Sequence, residues 1–378
     1  MNELCAGLIW PRLLRCFAHS LQPARLALCF LLFALLMLVG TLLDWVRALG
    51  VRLFGSGEGE ATAPVFATLT QEWALAFNGF VVGLLTLDMS RCWGALDAGL
   101  RAAPAWLLGE HWLFAVTLAA LTLPLWALIG GAVCRMAACD TAMGVHVSMR
   151  DALRFGAARW RHFLWALVAP VVLLATLAAV MWVLGLLLLR LPVLDVVGGA
   201  IYGLLLLLGL IAALVGVVFV FAQALLMPAV AADGADAIDA CQRAAAYALG
   251  RPGRFAAYAL VLIVSGALAY AALAYGVGLA INITAVWTGA ALRDPPLTYA
   301  VSPLFGVFGE RPEVAGTASL AAGLIGMWER ALVAVLAAFV LSFYFTGSTT
   351  LYLLMRRVND EQDVEEIWTP APTTGAAS

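Results

Sequence analysis

The chain has 378 residues, of which 64% are hydrophobic and only 12% are charged. Ordinary soluble domains carry about twice this share of charged residues, so the composition excludes a soluble globular protein and predicts an integral membrane protein. The formal net charge is -2, and no basic groove studded with aromatic residues is evident, so nucleic acid is not expected as a partner. All 21 basic residues are arginines, which is typical of a high-GC genome and favours a bacterial source.

Six apolar stretches are long enough to cross a hydrocarbon core about 30 Å thick, which takes about 20 residues of helix. They cover residues 26–43, 112–134, 163–189, 197–227, 255–283 and 331–355. None carries a charged residue near its middle, where a single arginine costs about 3 kcal/mol. The sequence therefore predicts an all-α, polytopic integral membrane protein with six transmembrane helices in one membrane domain, residues 1–367.

The predicted outer loop of residues 44–111 contains an amphipathic segment. Within residues 64–86, Phe66, Trp73 and Phe77 recur at helical spacing, and Asn78 lies on another face. Such a pattern suits a helix lying in the membrane interface. We therefore predict an interfacial helix here and leave insertion of this segment as the alternative. A second outer loop covers residues 284–330.

A short amphipathic helix precedes each odd-numbered span. These helices are predicted over residues 10–21, 149–160 and 236–249. The second begins with the capping-box pattern Ser148–Asp151, and the third stops at Gly250. The predicted architecture is three units of interface helix plus membrane hairpin, and descent of the units from one duplicated segment stays open.

Arginines cluster between the second and third spans. An excess of arginine beside a span marks the cytoplasmic side, so we expect a multi-pass protein of the bacterial inner membrane with both ends of the chain in the cytoplasm. The same residues are candidates for contact with anionic lipid headgroups; orientation of the protein alone is the alternative. The lipid-contact candidates are Arg150, Arg154, Arg159, Arg161 and Trp160.

The last span carries the most polar patch of any span. Its members are Ser342, Thr346, Gly347 and Thr349. Small and hydroxyl-bearing residues let helices approach closely, so helix packing is favoured over a substrate path. After this span, residues 360–366 are acidic and are a candidate contact for a protein partner, as are the cytoplasmic helices. Residues 368–378 are predicted to be disordered.

The sequence contains few residue patterns that indicate metal binding or catalysis. Cys134, Cys139 and His146 have a spacing that matches structural zinc sites poorly, and no phosphate-binding loop, metalloprotease or nucleophile motif occurs. Only Cys92 is predicted to face outwards, so no disulfide is expected. We therefore expect no metal, no cofactor and no catalytic residue.

Two segments of the sequence are similar to segments of known membrane proteins. The first reads Leu341-Ser-Phe-Tyr-Phe-Thr-Gly-Ser-Thr-Thr-Leu-Tyr352 and leads into Arg356-Arg357, Asn359-Asp360 and Asp363; the second contains Asp239, Arg243, Tyr247, Arg251-Pro252 and Tyr258. Together they resemble a family of uncharacterised bacterial multi-spanning membrane proteins, over most of the chain. In layout alone, the chain is distantly similar to the membrane domain of glycerophosphodiester phosphodiesterases. It lacks their soluble catalytic domain and acidic metal cluster, so the resemblance implies topology and no activity.

Three functional classes remain. The favoured one is a non-enzymatic membrane component that binds membrane lipids or a partner protein. A transporter or lipid-handling permease is the alternative, and it would be indicated by a polar cavity or broken helices at membrane depth. An intramembrane enzyme is the least supported class.

Overall fold

The computed structural model describes residues 11–54, 64–190, 194–289 and 316–369. Parts of both predicted outer loops, 55–63 and 290–315, lie outside these ranges, as do residues 370–378 of the predicted disordered tail. Within the described ranges the chain forms helices and no strand.

The helices follow one another in chain order. They are α1 (Pro11–Ser20), α2 (Pro23–Phe54), α3 (Val65–Leu85), α4 (Met89–Asp97), α5 (Ala103–Glu110), α6 (Trp112–Leu125), α7 (Gly131–Met143), α8 (Met149–Leu189), α9 (Leu194–Ala200), α10 (Tyr202–Asp233), α11 (Ala237–Gly250), α12 (Pro252–Gly289) and α13 (Thr317–Asp360). Two π-helical turns, Ala98–Ala102 and Trp126–Gly130, join α4 to α5 and α6 to α7.

Six segments are long and apolar enough to cross a membrane. They are Pro23–Leu53, Trp112–Met143, Met149–Leu188, Tyr202–Asp233, Pro252–Thr288 and Ser319–Asp360. Large apolar side chains such as Leu204, Leu206 and Leu210 are exposed along α10, which would be an aggregation hazard in water and is expected in lipid. The prediction of an all-α multi-pass membrane protein with six spans is confirmed.

The helix boundaries refine the predicted elements. Ile201 leaves helical geometry (φ -99°, ψ 8°), so the fourth span begins at Tyr202 instead of residue 197. Helices α1 and α11 are separate from the spans that follow them. The predicted short helix 149–160 is continuous with its span, because no proline occurs in α8 before Pro170. Ser148 caps α8 by accepting from the backbone N–H of Asp151, as the capping-box pattern predicts.

Helices α3 to α5 form an antiparallel hairpin. The indole of Trp73 donates to the carbonyl of Gly99 at 3.2 Å, and Gly83 lies against Cys92 at the other end of the pair. The hairpin is fixed to α2 at its start, because the carboxylate of Asp44 accepts from the backbone N–H of Phe66 at 3.0 Å. A carboxylate at a helix N-terminus satisfies donors that have no partner within the helix.

The second half of α3 reaches the middle of a spanning helix. Asn78 is buried, and its side-chain oxygen accepts from the hydroxyl of Tyr270 at 2.8 Å. Tyr270 lies halfway along α12 and packs edge-on against Phe77. A helix confined to the outer interface would be expected to touch only the ends of the spans, so this contact favours the alternative of an inserted segment 64–86, whose position relative to the membrane stays a prediction. Because Asn78 and Tyr270 satisfy each other, a polar residue can be buried there.

The thiol of Cys92 is buried, and the side of the membrane on which it lies stays a prediction. Its side chain is only 7% exposed, and the thiol faces the carbonyl of Phe80 within the hairpin. Labelling from the outside is therefore not expected at this residue.

By packing, the chain groups into two compact units. The first contains the residues up to Cys16, Ala127–Leu260 and the residues from Phe345 onwards; the second contains Phe17–Trp126 and Val261–Tyr344. The single membrane domain over residues 1–367 stays a prediction.

Candidate functional site

In the first unit, distant parts of the chain cap the C-terminal end of α10. The last four carbonyl groups of a helix lack a partner within it. Here Arg135 donates to the carbonyl of Ala231 at 2.9 Å, and the backbone N–H of Trp368 donates to that of Ala232 at 2.8 Å. Arg159 donates to the carbonyl of Gly234, which ends the helix in the left-handed conformation at φ 60°. Cationic side chains are also favoured here by the helix dipole.

Asp233 is the acceptor at the centre of this cluster. Its side chain is only 7% exposed, and its two carboxylate oxygens accept from three side chains. These donors are Arg243 at 3.0 Å, the guanidinium of Arg356 and the hydroxyl of Tyr352. Because its donors come from α11 and α13, Asp233 joins α10, α11 and α13 in one network.

Helix α11 extends the network. The hydrogen bond that Arg243 donates to Asp239, together with the charge of Asp233, raises the pKa of Arg243 above its ordinary value. Burial, and then the hydrogen bond to Asp360, raise the pKa of the Tyr247 hydroxyl. Both groups therefore keep their protons across the physiological range, and both remain donors.

The C-terminal segment 361–369 docks beside this network. Arg356 donates to the backbone carbonyls of Asp363 and Glu366, and Val364 is only 2% exposed. The indole of Trp368 lies against Gly234, beneath the guanidinium of Arg159 at 4.2 Å from the ring centroid. The acidic side chains of this segment remain exposed; they are Glu361, Asp363, Glu365 and Glu366. Trp368, at the first position of the predicted disordered tail, is thus packed.

The structure divides the predicted lipid-contact residues into two groups. Arg150, Arg154 and Arg161 are exposed, and Trp160 is 40% exposed. Arg154 lies 3.8 Å from Asp151, in a largely exposed pair. Such pairs contribute little to stability, so they do not prevent these arginines from meeting another ligand. Arg159 instead turns to the end of α10.

The predicted polar patch of the last span is buried. Ser342 donates to the carbonyl of Ser20 at 2.7 Å, and Thr349 donates to the carbonyl of Phe345 one turn earlier at 2.7 Å. Thr346 and Gly347 are buried as well. The bond of Thr349 lies within α13, whereas the contact of Ser342 with Ser20 and the burial of the patch are those of closely packed helices and support the packing interpretation.

The three residues considered for a metal site do not come together as ligands. Cys134 and Cys139 are buried, and His146 pairs through Nδ1 with Asp140 at 2.9 Å. Among the described residues no group of three His, Cys, Asp or Glu side chains could hold a metal ion.

Two central residues were missed by sequence reasoning. Asp233 was not considered, although the sequence Asp233-Gly234 at the end of an apolar stretch is a signal for a helix end with a buried acid. Arg135 belongs to the arginine-rich segment after the second span, which in the sequence indicates only the orientation of the chain. In contrast, the resemblance segments contain Arg243, Tyr352 and Arg356, which meet at Asp233 in the structure.

Replacing Gly234 by alanine is expected to displace the C-terminal segment. The new Cβ would lie 2.6 Å from the indole of Trp368, so the ring must move. Gly144→Ala is a matched control, since Gly144 also ends a helix at positive φ but has nothing within 4 Å of its Cβ position. Hydrogen exchange of residues 361–369 should increase only in Gly234→Ala. Equal exchange in both variants would show that Trp368 is not held at this position.

Comparison with known protein families, with curated proteins and with solved structures found no match for this chain.

Proposed function

We propose that this protein is a non-enzymatic component of the bacterial inner membrane that binds anionic lipid through one face of α8. The observation that carries the proposal is the one-sided placement of three exposed arginines. Arg150, Arg154 and Arg161 fall within roughly 40° of one another at about 100° per residue of helix. Trp165, also exposed, extends the same face towards the membrane.

The opposite face of this part of α8 is buried. Ala152, Gly156 and Phe163 all lie within it and are packed in the first unit. The arginine face is therefore directed away from the protein, where a lipid headgroup can approach. Each basic residue near an anionic surface contributes about 1 kcal/mol, and arginine binds phosphate with two parallel hydrogen bonds.

The proposed orientation supports the same conclusion. With the arginine-rich side in the cytoplasm, the face meets the leaflet surface that attracts basic residues. Trp160 and Trp165 are suited to the boundary between headgroups and hydrocarbon, where amphipathic aromatic rings concentrate. Helix α11 and the acidic segment 361–369 would then also lie in the cytoplasm, where a partner protein could bind.

The test is a triple substitution of the arginine face. Arg150→Gln, Arg154→Gln and Arg161→Gln together are expected to weaken binding to phosphatidylglycerol-containing vesicles by at least about tenfold, since about 1 kcal/mol per residue is lost. Binding is measured with the protein in detergent at low and at moderate salt, because exposed charges are screened. The difference in vesicle binding between the wild-type protein and the triple variant should largely disappear at the higher salt concentration.

A second triple variant provides the control. Arg251, Arg254 and Arg357 are also exposed, so their replacement by glutamine changes the net charge equally. Lipid binding should fall less in this variant than in the first. Equal losses would mean that overall charge, and no particular face, attracts the lipid. Unchanged lipid binding with an inverted topology would assign the α8 arginines to orientation alone.

The hairpin of α3 to α5 favours a transporter as the second candidate. Helices that enter the membrane and turn back are tolerated where they are buried in protein or line a water-filled path. The buried pair of Asn78 and Tyr270 places polar groups halfway along a spanning helix.

Water access to the hairpin distinguishes the two candidates. In a transporter, a cysteine at Asn78 is expected to react with a charged, membrane-impermeant thiol reagent, in a background in which the native cysteines are replaced by alanine. Leu85→Cys, at the end of α3, measures access to the hairpin tip. A cysteine at position 78 that stays unreactive while position 85 reacts would oppose transport by this path.

A further inference from the structure

Arg135 and Arg159 form a pair of cations without a carboxylate partner among the described residues. Arg135 is only 7% exposed and donates to the carbonyl of Ala231, and the partly buried Arg159 donates to the carbonyl of Gly234 at the same end of α10. Their guanidinium groups donate to carbonyls only three residues apart at the end of α10, so the two like charges lie close together. Burying a charge without a counter-ion is costly, and neutral carbonyls and a helix dipole of about half a charge offset only part of that cost.

Two aromatic rings complete the surroundings of this pair. The guanidinium of Arg135 lies over Phe155 at 4.8 Å from its centroid, and that of Arg159 lies over Trp368 at 4.2 Å. The two rings are neighbours, with their centroids 6.3 Å apart. Trp368 belongs to the docked segment 361–369, whereas the other three residues belong to the helices. Departure of Trp368 would therefore open one side of Arg159 and Phe155.

From this arrangement we infer that Arg135 and Arg159 form an anion-binding site for a phosphate group, which the C-terminal segment covers. The phosphate belongs either to a lipid headgroup or to a free phosphate compound, and both present the oxygens that guanidinium groups bind. In the covered state, Arg159 donates to a neutral carbonyl and lies over the indole of Trp368. In the open state, the phosphate supplies the negative charge directly. The site faces away from Arg150, Arg154 and Arg161, so the inference does not depend on lipid binding there.

The experiment compares full-length variants in a zwitterionic detergent. Trp368→Ala opens the site, Trp368→Phe keeps an aromatic ring over Arg159, and the double variant Trp368→Ala/Arg159→Gln opens the site but removes one cation. Binding of inorganic phosphate is measured by calorimetry. We expect Trp368→Ala to bind at least about tenfold more tightly than the double variant, as expected for loss of a charge-assisted hydrogen bond. Trp368→Phe should resemble the wild type.

A second set of measurements uses phosphatidylcholine vesicles with and without phosphatidic acid. A preference for phosphatidic acid that disappears in the double variant, without binding of inorganic phosphate, supports the site with a lipid headgroup as its ligand. Binding of both probes supports the site for phosphate from either source. Equal binding of both probes by Trp368→Ala and by the double variant overturns the inference. In the Trp368→Ala background, Arg159→Lys keeps the positive charge, so this variant should bind more tightly than the one with Arg159→Gln. Such a recovery would show that the glutamine variant does not lose binding merely through a folding defect.

A failure here is distinguishable from a failure of the proposed function. The triple glutamine variant of Arg150, Arg154 and Arg161 should leave inorganic phosphate binding by Trp368→Ala unchanged. If that triple variant abolishes phosphate binding in the Trp368→Ala background, the phosphate binds the exposed face, and the separate site is refuted.

Discussion

Replacement of Asp233 by alanine should lower the free energy of unfolding by about 3–5 kcal/mol, the usual cost of removing one partner from a buried ion pair. The carboxylate accepts from Arg356, Arg243 and Tyr352, and Arg356 is only 2% exposed. The substitution therefore leaves a buried guanidinium without its carboxylate. Unfolding in mixed micelles of detergent and denaturing detergent, followed by circular dichroism, measures the loss.

Asp239→Ala is the matched control for this prediction. Asp239 pairs with the same Arg243 at 2.9 Å, but both side chains are about two-fifths exposed. An exposed pair four residues apart on a helix contributes only about 0.3–0.5 kcal/mol. The two substitutions remove the same chemical group, so the difference between them measures the burial of Asp233 and its additional donors, Arg356 and Tyr352. Similar losses in both variants would show that Asp233 is solvated in the membrane-embedded protein.

The spans could be predicted because their signal is local. An apolar stretch without a central charge, such as residues 255–283, has few alternatives to a membrane helix. The hairpin of α3 to α5 could not be predicted in this way. Its packing against α12 depends on Asn78 meeting Tyr270, which lies 192 positions further along the chain. Helical periodicity reports only that one face differs from another, and it gives no information on a distant polar partner.

The network at the end of α10 shows the same limit. The pair of Asp239 and Arg243 was predictable from its spacing of four residues on a helix. The role of Asp233 depends on Arg356 and Tyr352, more than a hundred positions away. The acidic composition of residues 360–366 predicted a solvated tail, but Val364 and Trp368 hold that segment to the protein while its carboxylates remain in solvent. The overall composition of a segment does not show that packed apolar residues alternate with exposed carboxylates within it.

Two glycines of α8, Gly156 and Gly185, differ in the space available for a side chain. An alanine at position 156 would place its Cβ 2.4 Å from the carbonyl oxygen of Leu128, whereas an alanine at Gly185 meets nothing within 4 Å. Leu128 belongs to the π-helical turn Trp126–Gly130, so the contact is made by backbone that cannot rotate away as a side chain would. Gly156→Ala must therefore separate α8 from this turn.

Both substitutions gain about 0.5–1 kcal/mol from the loss of glycine within a helix, and this gain cancels in the comparison. Overpacking a tight contact costs about 1–3 kcal/mol, so Gly156→Ala should be less stable than Gly185→Ala by about that amount. The same unfolding measurement in mixed micelles applies, with Gly185→Ala expected to equal or exceed the wild type. Because the contact joins α8 to a turn that leads into α7, the loss should be accompanied by faster hydrogen exchange in residues 126–130. Equal stability of the two variants would mean that α8 and the π-helical turn are further apart than this packing requires.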